Sequence, residues 1–428
     1  MKKIIENIFY IFIFLLPFQT RKILYQGTLN NGAWEYGTFS IYATEILLWC
    51  ILVLYCIYSI KNYKRETIRF APSIKFFIFI SILLYLFINI LSITWAENQI
   101  IAFHSVFRLV EAIALAFFII NFSFSFKIFS WSFALSGATQ SIFALMQFFS
   151  QSVFASKWLG MAAQSASSIL GESVIETHAG RFLRAYGTLP HPNILGGFLA
   201  LSALFSLYLF LHSHKRSHNI LSLGIFILNI LGVVLTFSRS ASIALVFGLV
   251  LYFASTFLEG KKLNKVSYAA LLYVISVVIF SMIYQEIASS RANNTNRLEK
   301  KSIAARQELF EESVQLISQR PLTGVGAGNF TYTVFAKIHP EKKYWEYQPV
   351  HSIYLLIASE TGIFSLIIFL ALLSAVIARI WFEKNFFALS LICMPLIIGF
   401  FDHYFFTLYF GIILFWIIFG ANLRRKED

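Results

Sequence analysis

Arg239, Arg306 and His351 are the residues best suited to chemistry, because hydropathy threads all three to one face of a membrane. A cation costs roughly 3 kcal/mol or more at a bilayer centre, so an apolar chain keeps one near a membrane face only where it has a task or an exit to water. Two guanidiniums suit the oxygens of a diphosphate through their fork geometry. A neutral imidazole beside them can accept a proton from a hydroxyl near neutral pH.

Each residue also has a plainer reading. Arg239 lies in Thr236-Phe237-Ser238-Arg239-Ser240, a turn between two spans too short to lift it from the surface. An arginine snorkelling to lipid phosphates would sit there too. Residues 302–319 are expected to form an amphipathic helix whose apolar stripe is Ile303, Phe310, Val314 and Ile317. Arg306 falls on that stripe, where docking is expensive unless the arginine meets an anion. The alternative is a helix lying on the membrane with Arg306 at lipid headgroups. His351 opens a span in Pro349-Val350-His351-Ser352-Ile353-Tyr354, with Tyr354 on its side of the helix. It also reads as an interfacial polar residue. Glu360 falls about half a turn away and is not its expected partner.

A second polar cluster, Arg184, Gly187, His191, Pro192 and Asn193, leads into a span, and Asp402-His403-Tyr404 caps the last hairpin. Either lines a substrate cleft or satisfies helix ends. Gly324, Gly326 and Gly328 form a Gly-x-Gly-x-Gly run that permits φ > 0 turns. With no preceding strand and no following Lys-Ser/Thr, it reads as a loop-shaping element more than a phosphate cradle. Arg108 and Glu111, three apart in one span, are expected to pair.

The elements that must position these residues are membrane helices. The 428 residues are 58% hydrophobic and only 13% charged, which no soluble domain of this length matches. An all-α polytopic membrane protein is expected, with about 12 spans of roughly 16–25 residues. Their centres fall near Phe12, Leu52, Leu84, Ile113, Leu135, Leu201, Leu228, Val246, Val277, Leu366, Leu391 and Ile413. The spans cover the chain almost end to end, so residues 1–428 read as one membrane domain. Met1-Lys2-Lys3 and the apolar run after it resemble a signal peptide, but without a small-x-small cleavage site near Leu16-Pro17-Phe18 they read as the first span.

Alternate connections carry the Lys/Arg excess, among them Lys61 to Lys75, Lys215-Arg216, Lys261 to Lys265 and Arg379 to Lys384, together with both ends of the chain. These are the cytoplasmic side by the positive-inside rule, with Arg21-Lys22 as the exception. The exoplasmic face then holds two sizeable loops, about Ser150 to Pro192 and about Glu286 to Val350. The second, 286–350 between the ninth and tenth spans, mixes acids with bases and reads as a subdomain carrying short helices.

Composition also excludes. The net charge of +13 is strung between spans, so nucleic acid is not an expected partner. Cys50, Cys56 and Cys393 all sit in apolar stretches, which implies neither a disulfide framework nor a metal site. Asp402 and Asp428 are the only aspartates, so no Asp-x-Asp can present a metal to a phosphate. Neither a metal nor another cofactor is implied, and arginines are the expected grip on any diphosphate.

Several elements resemble the O-antigen ligase and O-antigen polymerase superfamily. Leu235-Thr236-Phe237-Ser238-Arg239-Ser240 resembles its Ser-Arg-Ser/Gly element. Ala305-Arg306-Gln307-Glu308-Leu309, followed by Pro321-Leu322-Thr323-Gly324-Val325-Gly326, resembles its exoplasmic run. Val350-His351-Ser352-Ile353-Tyr354-Leu355, then Glu360-Thr361-Gly362, resembles its H-N-x-Y-L … E-x-G element, with Ser352 in place of Asn. Tyr186 to Asn193 resembles its G-T-x-x-H-P-N stretch. Motifs cover roughly residues 180–365, and topology the rest.

The resemblance implies an integral membrane glycosyltransferase of the bacterial cytoplasmic (inner) membrane, active at its periplasmic face. It would take a glycan from a polyprenyl (undecaprenyl) diphosphate and pass it to a lipid or glycan acceptor hydroxyl. Arg239 and Arg306 would hold the diphosphate, His351 would act on the acceptor, and Arg184, His191, Asn193 and Tyr354 would line the substrate site. The rival within the family is a repeat-unit polymerase. A lipid or glycan transporter needs a polar midplane path, which Arg108, Glu111 and Glu360 alone do not make. A membrane scaffold leaves Arg306 without an anion.

Overall fold

The computed structural model describes residues 1–62, 74–168, 172–178, 180–258, 271–278, 282 and 297–424. Helices dominate. Among the described residues, the helices of nine residues or more are, in chain order, α1 (Lys2–Leu15), α2 (Ala43–Lys61), α3 (Ile74–Ser92), α4 (Gln99–Asn121), α5 (Phe126–Ser150), α6 (Pro192–His212), α7 (Arg216–Thr236), α8 (Arg239–Leu258), α9 (Arg297–Gln319), α10 (Ile353–Thr361), α11 (Ile363–Phe382), α12 (Phe386–Ile398) and α13 (Tyr409–Leu423).

Seven of the described helices, α2 to α7 and α11, are long and apolar enough to cross a membrane. α8, α12 and α13 are shorter apolar helices. The other two expected centres are Phe12, in the 14-residue α1, and Val277, in a described helical stretch whose flanks lie outside the described residues. The finding is thus a multi-pass helical protein with seven clear spans.

Short polar caps start several helices. Asn98 Oδ1 accepts from Ile100 N and Ile101 N to begin α4, and His191 Nδ1 accepts from Asn193 N, with Pro192 as the first residue of α6. Phe237, at φ +50°, breaks the chain between α7 and α8 and sets Arg239 at the first position of α8.

α6 is the inner helix. Its apolar window is 83% buried, against 22% for α2, which faces outward. Apolar on all sides, α6 suits a central place. Helices α5, α6 and α7 approach closely through small and polar residues. A Cβ at Gly137 would collide with Ser202, and Asn229 joins Ser141 (3.1 Å) to Ser206 (3.2 Å). Such contacts replace the hydrophobic drive that lipid removes. Arg108 pairs with Glu111 at 3.1 Å as expected, but also with Glu45 of α2 at 2.6 Å.

The two faces of the bundle differ. One gathers Lys2, whose Nζ donates to Ser123, and Arg424, whose guanidinium lies 4.1 Å over the Phe126 ring. Both ends of the described chain therefore share a face. The other face carries short antiparallel hairpins, which the all-α expectation omitted. β1 (Arg21–Tyr25) pairs with β4 (Phe39–Tyr42), enclosing β2 (Thr28–Leu29) and β3 (Gly32–Ala33). β5 (Ser152–Val153) pairs with β6 (Gln164–Ser165), and β7 (Val174–Thr177) with β8 (Gly180–Leu183). The segment from Thr20 to Tyr42 is thus a third folded connection on this face, beside the two expected loops. Its Asn30 Nδ2 donates to Pro340 O at 2.8 Å and Lys342 O at 2.6 Å, tying it to the long loop.

Candidate active site

The long loop is organised from its glycines upward. Gly324, Gly326 and Gly328 all take positive φ (+64°, +101° and +70°), as the sequence run requires. The turn they shape presents Gly328 N at 2.7 Å and Phe330 N at 3.3 Å to the Glu360 carboxylate. The run therefore wraps a carboxylate of α10. Glu360, not an expected partner of His351, thus anchors the loop.

α9 lies over this assembly, and its docked face differs from the expected one. Leu309, Glu312, Ser313 and Leu316 are buried, with Ser313 Oγ 3.1 Å from Ser359 Oγ of α10. Ile303, Phe310 and Val314 remain exposed. The helix thus has a buried seam and, beside it, an exposed apolar stripe open to lipid or a lipid-linked ligand. Arg306 is exposed between the two. The expected cost of burying it does not arise. Its availability to an outside anion does.

Arg239, half-exposed at the start of α8, pairs with Glu299 of α9. Glu299 and Arg306 are two helical turns apart, roughly 10 Å along the axis. The Arg306 charge in turn acts on His351. α9 therefore relates the three expected residues: its Glu299 holds Arg239, and its Arg306 lies within electrostatic reach of the imidazole.

His351 sits just before α10, and its ring keeps 24% exposure, enough for a hydroxyl to reach it. Its Nδ1 faces Asp402 Oδ1 at 3.9 Å and has no hydrogen-bond partner among the described residues. That distance is ion-pair range, and catalytic hydrogen bonds commonly tighten only when substrate binds. Burial, reinforced by Arg306 and opposed by Asp402, lowers the His351 pKa, so the ring is a neutral base at neutral pH. A proton on Nδ1 pointing at Asp402 leaves Nε2 to accept one from substrate.

A buried polar chain fixes Asp402. Asn193 Nδ2 donates to Asp402 Oδ2 at 3.1 Å, and His403 N donates to Oδ1 at 2.9 Å. Asn193 Oδ1 accepts from Arg184 at 2.6 Å, and Arg184 also donates to Thr236 O and Ser173 Oγ, both at 2.8 Å. Burial raises the Asp402 pKa, but His351, His403, His191 and Asn193 outweigh it, and the carboxyl stays below its usual range. Burial and Arg184 lower His191 to about 3, so that ring is neutral.

The four residues expected to line the substrate site have the following surroundings. Arg184 is buried and, through Asn193, connects to Asp402. His191 caps α6. Tyr354 donates to Leu396 O at 2.9 Å and packs on Phe400, joining α10 to the end of α12. Sequence reasoning left Asp402 between a cleft and a helix end. Its pairing with His351 depends on how the last hairpin meets α10, which no local pattern encodes. Glu299 was missed altogether.

Among the described residues, two clusters offer metal-type donors: His351, Asp402 and His403, and separately Glu308, Glu312 and His339. In the first, His403 Nδ1 is 2.8 Å from Thr407 Oγ1, and one carboxylate among imidazoles is a poor match for Mg²⁺, which prefers oxygen. In the second, Lys342 Nζ sits between Glu308 (2.7 Å) and Glu312 and supplies the positive charge itself.

Residues 224–370 match the family model described as O-antigen ligase. That segment is similar to the O-antigen ligase family. No curated protein matches the chain. The matched segment holds Arg239, Arg306, His351 and Glu360 and leaves out Arg184, Asn193 and Asp402. The apolar helices make this a multi-pass membrane protein, and its segment 224–370 is similar to O-antigen ligases.

Proposed function

We propose that this chain transfers a glycan from a polyprenyl diphosphate carrier to an acceptor hydroxyl, without a metal. The observation that carries this reading is a buried, polar-braced carboxylate facing a neutral, reachable histidine, with Arg306 of α9 in electrostatic reach of that ring and Arg239 tied to the same helix through Glu299. The donor's diphosphate sits against Arg306 and Arg239. His351 Nε2 takes the proton of the acceptor hydroxyl. The acceptor oxygen attacks the anomeric carbon from the far side, the bond to the diphosphate oxygen breaks, and the diphosphate leaves with the electron pair. The sugar carbon inverts. Asp402 stabilises the imidazolium that forms, while Arg184 and Asn193 are positioning residues behind it.

Residues 1–428 form, on this reading, one membrane domain of about 12 spans, with 286–350 as its exoplasmic subdomain. Both termini are cytoplasmic in a bacterial inner membrane, and the site is periplasmic, by the Lys/Arg asymmetry. Single cysteines at Lys262 and Lys342, with Cys50, Cys56 and Cys393 replaced by serine, should label from opposite sides, Lys342 from outside. Labelling of both from one side would separate the arginine turn from the loop and end the proposal.

Ligase and polymerase differ in acceptor. Purified protein given a polyprenyl-diphosphate glycan and candidate acceptors should release polyprenyl diphosphate. One large product step identifies a ligase, and a ladder growing by repeat units a polymerase. Turnover should survive excess EDTA. Loss that Mg²⁺, Mn²⁺ or Zn²⁺ restores would assign the His351–Asp402–His403 cluster to a metal instead.

A further inference from the structure

Two cavities, of about 240 Å³ and about 90 Å³, meet at the first hairpin. Arg21, Glu35 and Tyr42 of that hairpin, with Leu408 before α13, line both and make a common wall. The larger cavity runs past Gly160 and Gln164 of the second hairpin to Gly187 and Pro190, just before His191. The smaller reaches Pro349, just before His351, and Thr407, whose Oγ1 lies 2.8 Å from His403 Nδ1. Tyr36 in its wall stands 6.0 Å, ring to ring, from His403, and His403 stands 5.2 Å from His351. Neither cavity is lined by His351, Asp402, Arg239 or Arg306. Together they reach the roughly 300 Å³ at which small-molecule sites begin.

The shared wall favours one kind of ligand. Arg21 is the exception to the Lys/Arg bias of the chain. Its guanidinium donates to the Tyr42 hydroxyl at 3.3 Å and lies 6.0 Å over that ring, and among the described residues no carboxylate stands within ion-pair range of it. Glu35 lines both cavities too, without closing a pair with Arg21. A bare anion in this space would gain from Arg21 and lose to Glu35. A hydroxyl gains from both, because it accepts from a guanidinium and donates to a carboxylate. Gln19 and Gln164 add amides, which also donate and accept. In the wall of the smaller cavity Ser40 and Thr331 are buried, and their hydroxyls lack a hydrogen-bond partner among the described residues. Buried polar groups ordinarily have one.

We propose that this double cleft binds hydroxyl-rich sugar units of a substrate glycan, with Arg21 and Glu35 holding the hydroxyls of one ring between them. The inference rests on the glycan transfer proposed above and adds where the sugars beyond the reacting carbon lie. They run from the His351–His403 pair, along Tyr36, toward the second hairpin. The first hairpin then selects the glycan, besides tying itself to the long loop through Asn30.

Binding to the full-length protein in nanodiscs tests this with two probes: the polyprenyl-diphosphate glycan drawn from the cells that make the protein, and bare polyprenyl diphosphate of the same chain length. Wild type should bind the glycan-bearing lipid about tenfold more tightly or better, the scale of one hydrogen bond to a charged group. Arg21→Gln, at an exposed position, should remove most of that advantage. Ala162→Trp, also exposed, should fill the larger cavity and remove the rest. Affinity for the bare lipid should stay at the wild-type value in both variants. If the advantage survives while the KM for the acceptor rises in both variants, the cleft holds the acceptor's sugars, and the proposal stands. Variants that change neither quantity would leave the cleft to water and overturn it. So would an Arg21→Gln variant that weakens the bare lipid as much as the glycan-bearing one, since Arg21 would then hold a phosphate. Glycan binding of the expected kind without turnover would keep the cleft and end the transfer reading.

Discussion

His351→Ala should lower turnover by roughly 10²–10⁴ and leave donor affinity near wild type. The imidazole is proposed to act on the acceptor proton alone, so the diphosphate grip survives its removal. Its pH dependence gives a sharper signature. Burial and Arg306 lower the His351 pKa below its ordinary 6.5. Turnover should therefore rise through that lowered pKa as pH increases and be flat by neutrality, where the base is already unprotonated. The Asp402 carboxylate opposes this shift by raising the His351 pKa. Asp402→Asn removes the charge, so the acid limb should move to still lower pH while the plateau rate falls. A purely structural role for Asp402 would lower the rate without moving the limb. Should His351→Ala lose donor binding as badly as turnover, the assignment to the acceptor is wrong.

The apolar spans were legible because hydropathy acts over whole helices. The Gly324–Gly326–Gly328 turn was legible because positive φ is a local demand. What the turn holds was not, since Glu360 lies 32 residues beyond Gly328. The stripe on α9 was read with the right period but the wrong partner. In a membrane protein an exposed apolar stripe and a docked one look alike in sequence, because lipid and protein interior are both apolar. Ser313 and Glu312, polar yet buried, mark the true seam. The hairpins of the Thr20–Tyr42 segment went unread because two-residue strands carry no period. The Arg184–Asn193–Asp402 chain joins positions 209 residues apart at its longest link, beyond any pattern within one segment.

Arg306→Lys and Arg239→Lys should each lower turnover by about 10²–10³, equivalent to roughly 2.7–4 kcal/mol of transition-state stabilisation, and weaken donor binding as well. Lysine keeps the charge but replaces a planar fork with a point donor, and a departing diphosphate gathers charge on several oxygens at once. Arg306 is exposed on α9, so its replacement leaves the buried seam of Leu309, Ser313 and Leu316 intact and the protein folded. Arg239 tests the same idea from the other end of the helix. Its guanidinium meets Glu299, an anion that a diphosphate must displace or share. Glu299→Gln should therefore raise donor affinity while Arg239→Lys lowers it, a divergence that loss of α9 docking cannot produce. Donor affinity and single-turnover rate, measured side by side in the three variants, decide the matter. Wild-type turnover in Arg306→Lys would remove that arginine from the diphosphate. A parallel loss of donor affinity in Glu299→Gln and Arg239→Lys would reduce their pair to a tether for α9.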